Sequence, residues 1–522
     1  MSDPNQTSSR GRKIGRRASY REGAAFGVLT FGSVAMLALI GSVLNSRIYG
    51  VNVIGEYALA MATVAAVRLL STTKERPALV RELSLLDARQ PRVTALFYAT
   101  LTFSTVLTCV VGAIAVAVTE LLLTGPISQP ELLAPIAVNV AGYALIGNVG
   151  ENFDVVFNSF RAGRQSFWVR VEMAMVFIAI TVPFGLRYGT VWWLIAGTVG
   201  SQATGLLHRL VLVRRFMRFT APWGTIREGF ATLPGLIRFG LKITPGALAD
   251  GVSNESGTWI VASFGSLADV GAYGRAYMLV KQMLILNVRT NEMLFPTLLE
   301  RRAKGDATGY ARALIDSLRY TTILLLLGAA AGGGLASEVM RVFGPGFERG
   351  ATPLAVLLLV PPLFSLSQIQ RVALYSLDRP WLGSICGLLR LVATLALGII
   401  LTSQMGATGA ALALVLGFLV DIGLATSVVI RHLEMPVRSL WPAHHWLALV
   451  LAYCAAFAAA HFVAAVIAFP FNLLIGGVVA AVVFVAVMVV CRAFNERDLE
   501  RLRDVRQNLA KRRHRAPAAI AT

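Results

Sequence analysis

The chain is short of charge. Of its 522 residues only 15% are Asp, Glu, Lys or Arg, where a soluble domain carries about 25%. With 56% hydrophobic residues and a mean hydropathy of +0.66, that deficit excludes an ordinary water-soluble protein. Cysteine is scarce: Cys109, Cys386, Cys454 and Cys491 are scattered through apolar runs and suggest neither a disulfide framework nor a metal site. The six histidines fall in no ligand spacing. There is no G-x-x-x-x-G-K-[ST] phosphate loop, which removes ATP hydrolysis by that route. No Ser-His-Asp grouping stands out either. No catalytic residue, metal or cofactor is therefore expected, and the chain does not read as an enzyme. Membrane glycosyltransferases, ligases and polymerases usually need a sizeable aqueous domain for the reacting sugars, and no such segment separates the apolar runs.

What is present is a succession of runs of roughly 20 apolar residues, the length that crosses a bilayer as a helix. They do not alternate, so a β-barrel is excluded. The fold class is an all-α polytopic membrane protein with about fourteen transmembrane helices, placed near 24–46, 51–71, 93–118, 132–160, 169–186, 191–213, 240–264, 272–298, 313–337, 353–376, 383–402, 409–430, 446–468 and 473–491. Residues 1–23 form a basic tail with no cleavage site, so the first span is an uncleaved anchor. Residues 24–213 make an N-lobe of six helices and residues 240–430 a C-lobe of six. The linker 214–239 mixes Phe216, Phe219, Trp223, Phe230 and Leu236 with Arg and Pro, the pattern of an amphipathic helix lying in the interface. Two extra helices occupy 446–491, and 492–522 is a second basic tail.

The formal net charge is +20. In a soluble chain it would suggest nucleic acid. Here it follows the positive-inside rule. With alternating connections, only Arg47, Arg187, Arg341 and Arg349 fall in loops on the side away from the tails. Both termini are thus expected in the cytoplasm and the chain in a bacterial cytoplasmic membrane. No nucleic-acid partner is expected.

The sequence also repeats. Tyr49-Gly50 followed by Ile54-Gly55-Glu56-Tyr57 recurs as Phe264-Gly265 followed by Val270-Gly271-Ala272-Tyr273. Gly125-Pro126 recurs as Gly344-Pro345, Pro135 as Pro353, Ser159 as Ser376 and Tyr188-Gly189 as Met405-Gly406, all at offsets of 215 to 219 residues. A near-constant offset in order across six spans predicts two copies of a six-helix unit. Six is even, so the copies are parallel repeats about an axis along the membrane normal.

Polar residues line up inside several spans. A charge at the bilayer centre costs about 2.5–3.5 kcal/mol on insertion scales and normally faces a bundle interior or a wet cavity. On the eighth span Arg275, Gln282 and Arg289 recur every seven residues, flanked by Lys281 and Glu292. Lys281 and Glu292 are eleven residues apart, too far for a direct pair, so each needs a partner elsewhere. The seventh span puts Lys242, Gly246, Asp250, Ser253, Asn254 and Gly257 on one face. The fourth carries Asn139, Tyr143, Gly147, Glu151, Asp154 and Asn158 at spacings of three and four. Its alternative is a helix whose inner end leaves the bilayer near Glu151, with both acids solvated. Arg371 and Arg390 lie toward the inner ends of their spans, where snorkelling is a fair alternative to a place in the cavity. Together the stripes predict a polar cavity between the two halves. The candidate substrate-binding residues are Lys242, Asp250, Arg275, Lys281, Gln282, Arg289, Asn139, Tyr143, Glu151 and Asp154. Arg and Lys suit an anionic group, and Asn, Gln and Tyr suit hydroxyls.

The F/Y-G…I/V-G-x-Y pattern at 49–57 and 264–273, Lys242-x-x-Pro245, Phe295-Pro296 and Gly305-Asp306 resemble the polysaccharide and oligosaccharide-lipid flippases of the multidrug/oligosaccharidyl-lipid/polysaccharide (MOP) superfamily. The six plus six plus two layout resembles them as well. The resemblance covers roughly residues 20–491. It implies translocation of polyprenyl-pyrophosphate-linked oligosaccharide repeat units by alternating access, for cell-surface polysaccharide or lipopolysaccharide biosynthesis. The implied partners are the lipid-linked oligosaccharide, membrane lipids and the polysaccharide polymerase or glycosyltransferase machinery. Two alternatives share the fold: a cation-coupled multidrug antiporter, which wants an acid-dominated cavity, and a peptidoglycan lipid-precursor flippase. A non-transporting scaffold would gain nothing from the insertion cost of the buried charges.

The topology is tested by reporter fusions. Fusions after Ser128 and Gln404 are expected to read external and one after Lys304 internal. A cytoplasmic signal after Ser128 breaks the assignment.

Overall fold

A computed structural model describes residues 20–241, 244–433, 436, 440 and 442–493 of the protein; for 20–31, 239, 285–293 and 380 it describes the backbone without the side chain. Lys242 and the side chains of Arg289 and Glu292 lie outside the described residues. All regular structure among the described residues is helical. Ten helices among them are long and apolar enough to cross a membrane, so this is a multi-span membrane protein.

The first two expected spans form one helix, α1 (Tyr20–Leu70), interrupted at Gly50, where φ is 76° and ψ 171°. An L side chain rarely adopts that backbone, and glycine adopts it freely. The segment between the second and third expected spans holds a short helix, α2 (Glu75–Leu83). Buried Glu75 opens it, accepting hydrogen bonds from the Thr73 amide and hydroxyl, both at 2.9 Å. The neighbouring Lys74 ammonium is pushed below its ordinary value by burial, against the pull of Glu75. Next come α3 (Pro91–Thr124), α4 (Leu133–Gly142) and α5 (Asn148–Ser159), the last two joined by a π-turn at Tyr143–Gly147. Then follow α6 (Gly163–Tyr188), α7 (Val191–Val213), α8 (Trp223–Leu241), α9 (Thr244–Phe264) and α10 (Leu267–Ala303). The later helices are α11 (Ala307–Gly334), α12 (Ala336–Arg341), α13 (Ala351–Leu357), α14 (Val360–Ser376), α15 (Pro380–Met405), α16 (Ala407–Leu433), α17 (Ala443–Val466) and α18 (Phe471–Val490).

The chain divides into two compact units. The first runs to Gln282 and adds 340–353 and 380–421. Small residues let its helices approach closely. Gly41 lies on Ile178, Gly185 on the Tyr49 ring, Gly197 on Thr181 and Gly205 on Met173. The Tyr49 hydroxyl donates to the Thr181 carbonyl at 2.7 Å. In lipid the packing of such surfaces, rather than water exclusion, drives helix association. An aromatic core of Phe97, Phe153, Phe157, Phe160 and Phe216 ties α2, α3, α5 and the end of α7 together. Helix α8 forms in the linker where an amphipathic helix was expected, with Leu236 buried and Trp223 exposed.

The second unit holds 283–339, 354–379 and the described residues from 422 on. Its centre is an alanine stripe on α17, Ala448, Ala452, Ala456 and Ala460, all buried against α11 and α18. Gly334 of α11 abuts the Phe457 carbonyl and Ala460. The Tyr310 hydroxyl meets Ser376 Oγ at 2.6 Å, joining α11 to α14.

One contact in the first unit joins the residues that the sequence repeat pairs. A Cβ on Gly55 would sit 1.9 Å from the Leu267 carbonyl oxygen, and one on Gly271 would sit 2.2 Å from that of Val51. Both pairs, 51 with 267 and 55 with 271, keep an offset of 216, so the contact is reciprocal, as at an interface about a two-fold axis. Neither glycine can carry a side chain without backbone movement. Gly55→Ala and Gly271→Ala are each expected to destabilise by about 1–3 kcal/mol, read as a lower thermal midpoint in detergent. Gly477→Ala, which meets open space, should leave the midpoint unchanged. Unshifted midpoints for both crossing variants would refute the close approach.

Candidate functional site

Within the first unit, α1, the α4–α5 segment, α6, α7, α9 and the start of α10 line a cavity of 680 Å³. Its charged lining is Arg68, Arg170, Arg275, Lys281, Glu151 and Glu255. Four cations face two acids.

Glu151 reaches the cavity because of the π-turn. A π-turn winds less per residue than an α-turn, so the spacing of four keeps Tyr143 and Glu151 on one side. The Tyr143 hydroxyl approaches Glu151 Oε2 at 3.5 Å. Arg68 Nε binds Glu151 Oε1 at 2.9 Å, and Arg76 binds the other oxygen while its second nitrogen reaches Asn148 Oδ1. The side chains of Glu151 and Asp154 are only 23% and 16% exposed. That corrects the alternative in which both acids are solvated.

Asp154 does not line this cavity. Arg209 of α7, 6% exposed, grips it with Nε at 2.9 Å and a terminal nitrogen at 3.0 Å. Arg170 stands 3.9 Å off. Asn139 is turned away as well; it is buried and donates to the Ala60 carbonyl at 3.4 Å. Asp250 faces Arg390 of α15 at 2.8 Å. Arg390 is fully buried, with Asp421 at 3.9 Å and the Phe418 ring 4.3 Å below its guanidinium. Arg371 is 2% exposed. Both arginines are thus enclosed by protein, whereas snorkelling would leave the charged head in water.

On α10, Lys281 has the partner that the sequence demanded. Its Nζ holds both Glu255 oxygens, at 2.7 and 3.0 Å, and lies 4.7 Å from the Tyr277 ring centre. The Lys281 side chain is still 42% exposed. Arg275 differs. It lines the cavity, approaches Met278 Sδ at 3.8 Å, and its buried Nε has no hydrogen-bond partner among the described residues. Ser42 Oγ, Asn45 Oδ1 and Gln202 Oε1, on cavity-lining residues, are in the same condition. Gln282 is partly exposed and is not part of the lining. The structure thus gathers Tyr143, Glu151, Arg275 and Lys281 of the expected set and leaves Asn139, Asp154, Asp250 and Gln282 outside the lining.

Sequence reasoning passed over Arg68, Arg170 and Arg209. A signal existed: Arg209 and Asp154 fall at the same end of their spans, so matching acids to bases by depth finds the pair.

The helical core defines a protein of the MOP transporter fold. It is similar, over 90% of this chain and 99% of that one, to a structure described as the lipid II flippase MurJ in an inward closed conformation, with TM-score 0.65 and 12% identity. Inward- and outward-facing structures of a multidrug resistance MATE family transporter of the MOP superfamily are also similar. The first has TM-score 0.57 and 12% identity over 78% of this chain and 96% of that one. The second has 0.52 and 13% over 80% and 97%. No curated protein matches the sequence. A family model described as polysaccharide biosynthesis protein matches residues 31–341, and the chain belongs to that family.

The ion pairs differ in worth. Arg209→Ala strands a buried carboxylate and is expected to cost about 3–5 kcal/mol, seen as lost abundance and a lower thermal midpoint. Arg170→Ala, at a half-exposed contact, is expected to cost about 0–1 kcal/mol. Equal effects would mean that Asp154 is not held as described.

Proposed function

We propose that the protein is a flippase that carries polyprenyl-pyrophosphate-linked oligosaccharide repeat units across the cytoplasmic membrane by alternating access, for cell-surface polysaccharide synthesis. The observation that carries this reading is Arg275: a guanidinium on the cavity wall with no acid partner among the described residues, where lining cations outnumber acids. A pyrophosphate brings about two negative charges and the acceptor oxygens that a guanidinium binds in pairs. Ser42, Asn45, Gln202 and Tyr143 supply neutral polar groups for sugar hydroxyls. Membership of a polysaccharide biosynthesis family supports the cargo class.

Within this proposal the chain has fourteen spans in two parallel six-helix repeats plus α17 and α18, with both termini cytoplasmic. The reciprocal Gly55–Leu267 and Gly271–Val51 contacts support the repeat. Lys242 and Arg289 extend the cation path on the sequence reading alone. The same superfamily fold would serve a cationic-drug antiporter, and the excess of lining cations argues against that reading. A peptidoglycan lipid-precursor flippase would share the cation-lined cavity.

Deletion is expected to accumulate lipid-linked precursor on the inner leaflet. Purified protein in liposomes is expected to move that precursor without nucleotide. Arg275→Ala should lower the rate at least about tenfold, the loss of roughly one charge-assisted contact, with abundance intact, and Lys281→Ala, whose ammonium Glu255 already engages, should lower it by less. Arg at position 281 should keep part of the activity. Normal rates in both alanine variants would make these cations structural. A deletion strain that makes no precursor would mark the protein as a synthesis component.

A further inference from the structure

A second cleft, of 570 Å³, opens between α6 and α7 and shares no lining residue with the large cavity. Along α6 its wall runs from Arg164 through Trp168 and Glu172 to Met175. These residues recur at spacings of three and four and so share one helix face. Over eleven residues, about 16 Å at 1.5 Å per residue, that face passes from a cation through an aromatic ring to an apolar chain. Arg215, just past the end of α7, adds a second cation at the Arg164 end.

Both arginines are exposed, and among the described residues neither has a carboxylate within ion-pair distance. The acid in the cleft is already engaged, because Glu172 binds His208 of α7. It does not neutralise the arginines. Trp168 and Met175 are 53% and 58% exposed, apolar surface left open among the described residues. Two unneutralised cations at one end and apolar surface at the other match a phosphate headgroup and its acyl chain. The positive-inside asymmetry assigns this end of α6 and α7 to the cytoplasmic leaflet, where anionic lipids attract basic residues.

We propose that this cleft is a binding site for an anionic diacyl phospholipid, its phosphate between Arg164 and Arg215 and one acyl chain along Trp168 and Met175. The site is independent of the transport cavity and of what that cavity carries.

The test is native mass spectrometry of the full-length protein, released from detergent with equal amounts of dioleoylphosphatidylglycerol and dioleoylphosphatidylcholine. The wild type is expected to retain phosphatidylglycerol at least about fivefold over phosphatidylcholine, as one cation near a lipid phosphate implies. Arg164→Gln with Arg215→Gln should bring the ratio to parity. The single replacements should fall between, which keeps a graded readout if the double variant does not fold. Arg227→Gln with Arg238→Gln, on exposed basic residues of α8, should leave the ratio unchanged. Equal retention of both lipids by the wild type, or an equal loss in the α8 control, overturns the proposal. So does displacement of the retained phosphatidylglycerol by millimolar glycerol phosphate, which would mark a soluble-phosphate site.

Discussion

A charge in hydrocarbon has to find a counter-charge, a protein dipole or water, and the arrangement of the first unit follows from that demand. Arg209 grips Asp154, Arg390 lies by Asp250 and Asp421, Lys281 holds Glu255, and Arg68 with Arg76 holds Glu151. Each pair spans two helices. The pairs therefore fix which helices are neighbours: α5 with α7, α15 with α9 and α16, α9 with α10. A buried pair gives little net stability over an apolar replacement, because desolvation offsets the attraction. What it does is penalise every arrangement that separates the partners. Removing one partner is costly even though possessing both gains little.

The apolar contacts complement this. Helices in lipid gain nothing from hiding leucine from leucine, so closeness must come from the absence of side chains. Gly55 and Gly271 take this furthest, with carbonyl oxygens where their Cβ atoms would be. Residues 216 apart in the chain that touch reciprocally fit the proposed repeat, since related residues meet only near the axis that relates them. Bulk added to either glycine meets backbone across the contact, which ties both to one constraint.

The membrane class was legible because hydropathy is a sum over many residues and tolerates local error; the count of fourteen spans was not, since ten helices among the described residues are long and apolar enough to cross a membrane. The break between the first two spans was legible at Gly50, where only a glycine suits the backbone. The charged residues were less so. Reading each helix alone puts Asn139, Glu151 and Asp154 on one stripe, yet Asn139 turns to Ala60 and Asp154 to Arg209. The partner lies on another helix, and single-helix periodicity has no term for it. Arg390 and Arg371 read as snorkelling for the same reason: depth along a span is visible in a sequence, and the neighbour at that depth is not. Helix α2 escaped because its nine residues are polar outside and bury Leu79 and Leu83 against phenylalanines from α3 and α5.

The sign of a cavity depends on which of its charges are already neutralised, and this changes the weight of individual residues. The eighth span alone offers Arg275, Lys281 and Arg289 as equivalents on one ladder. Glu255 takes Lys281 out of that equivalence, since a lysine with both carboxylate oxygens within 3.0 Å has less field to offer a ligand than its formal charge implies. Glu151 is likewise shared between Arg68 and Arg76, so it contributes little net negative field. What remains is Arg275 with its unmatched Nε. An anionic ligand entering there would regain hydrogen bonds that the protein does not supply. A cationic one would meet an uncompensated guanidinium and two acids already occupied. The preference for an anion in the proposed function thus rests on the pairing pattern as well as on the excess of lining cations.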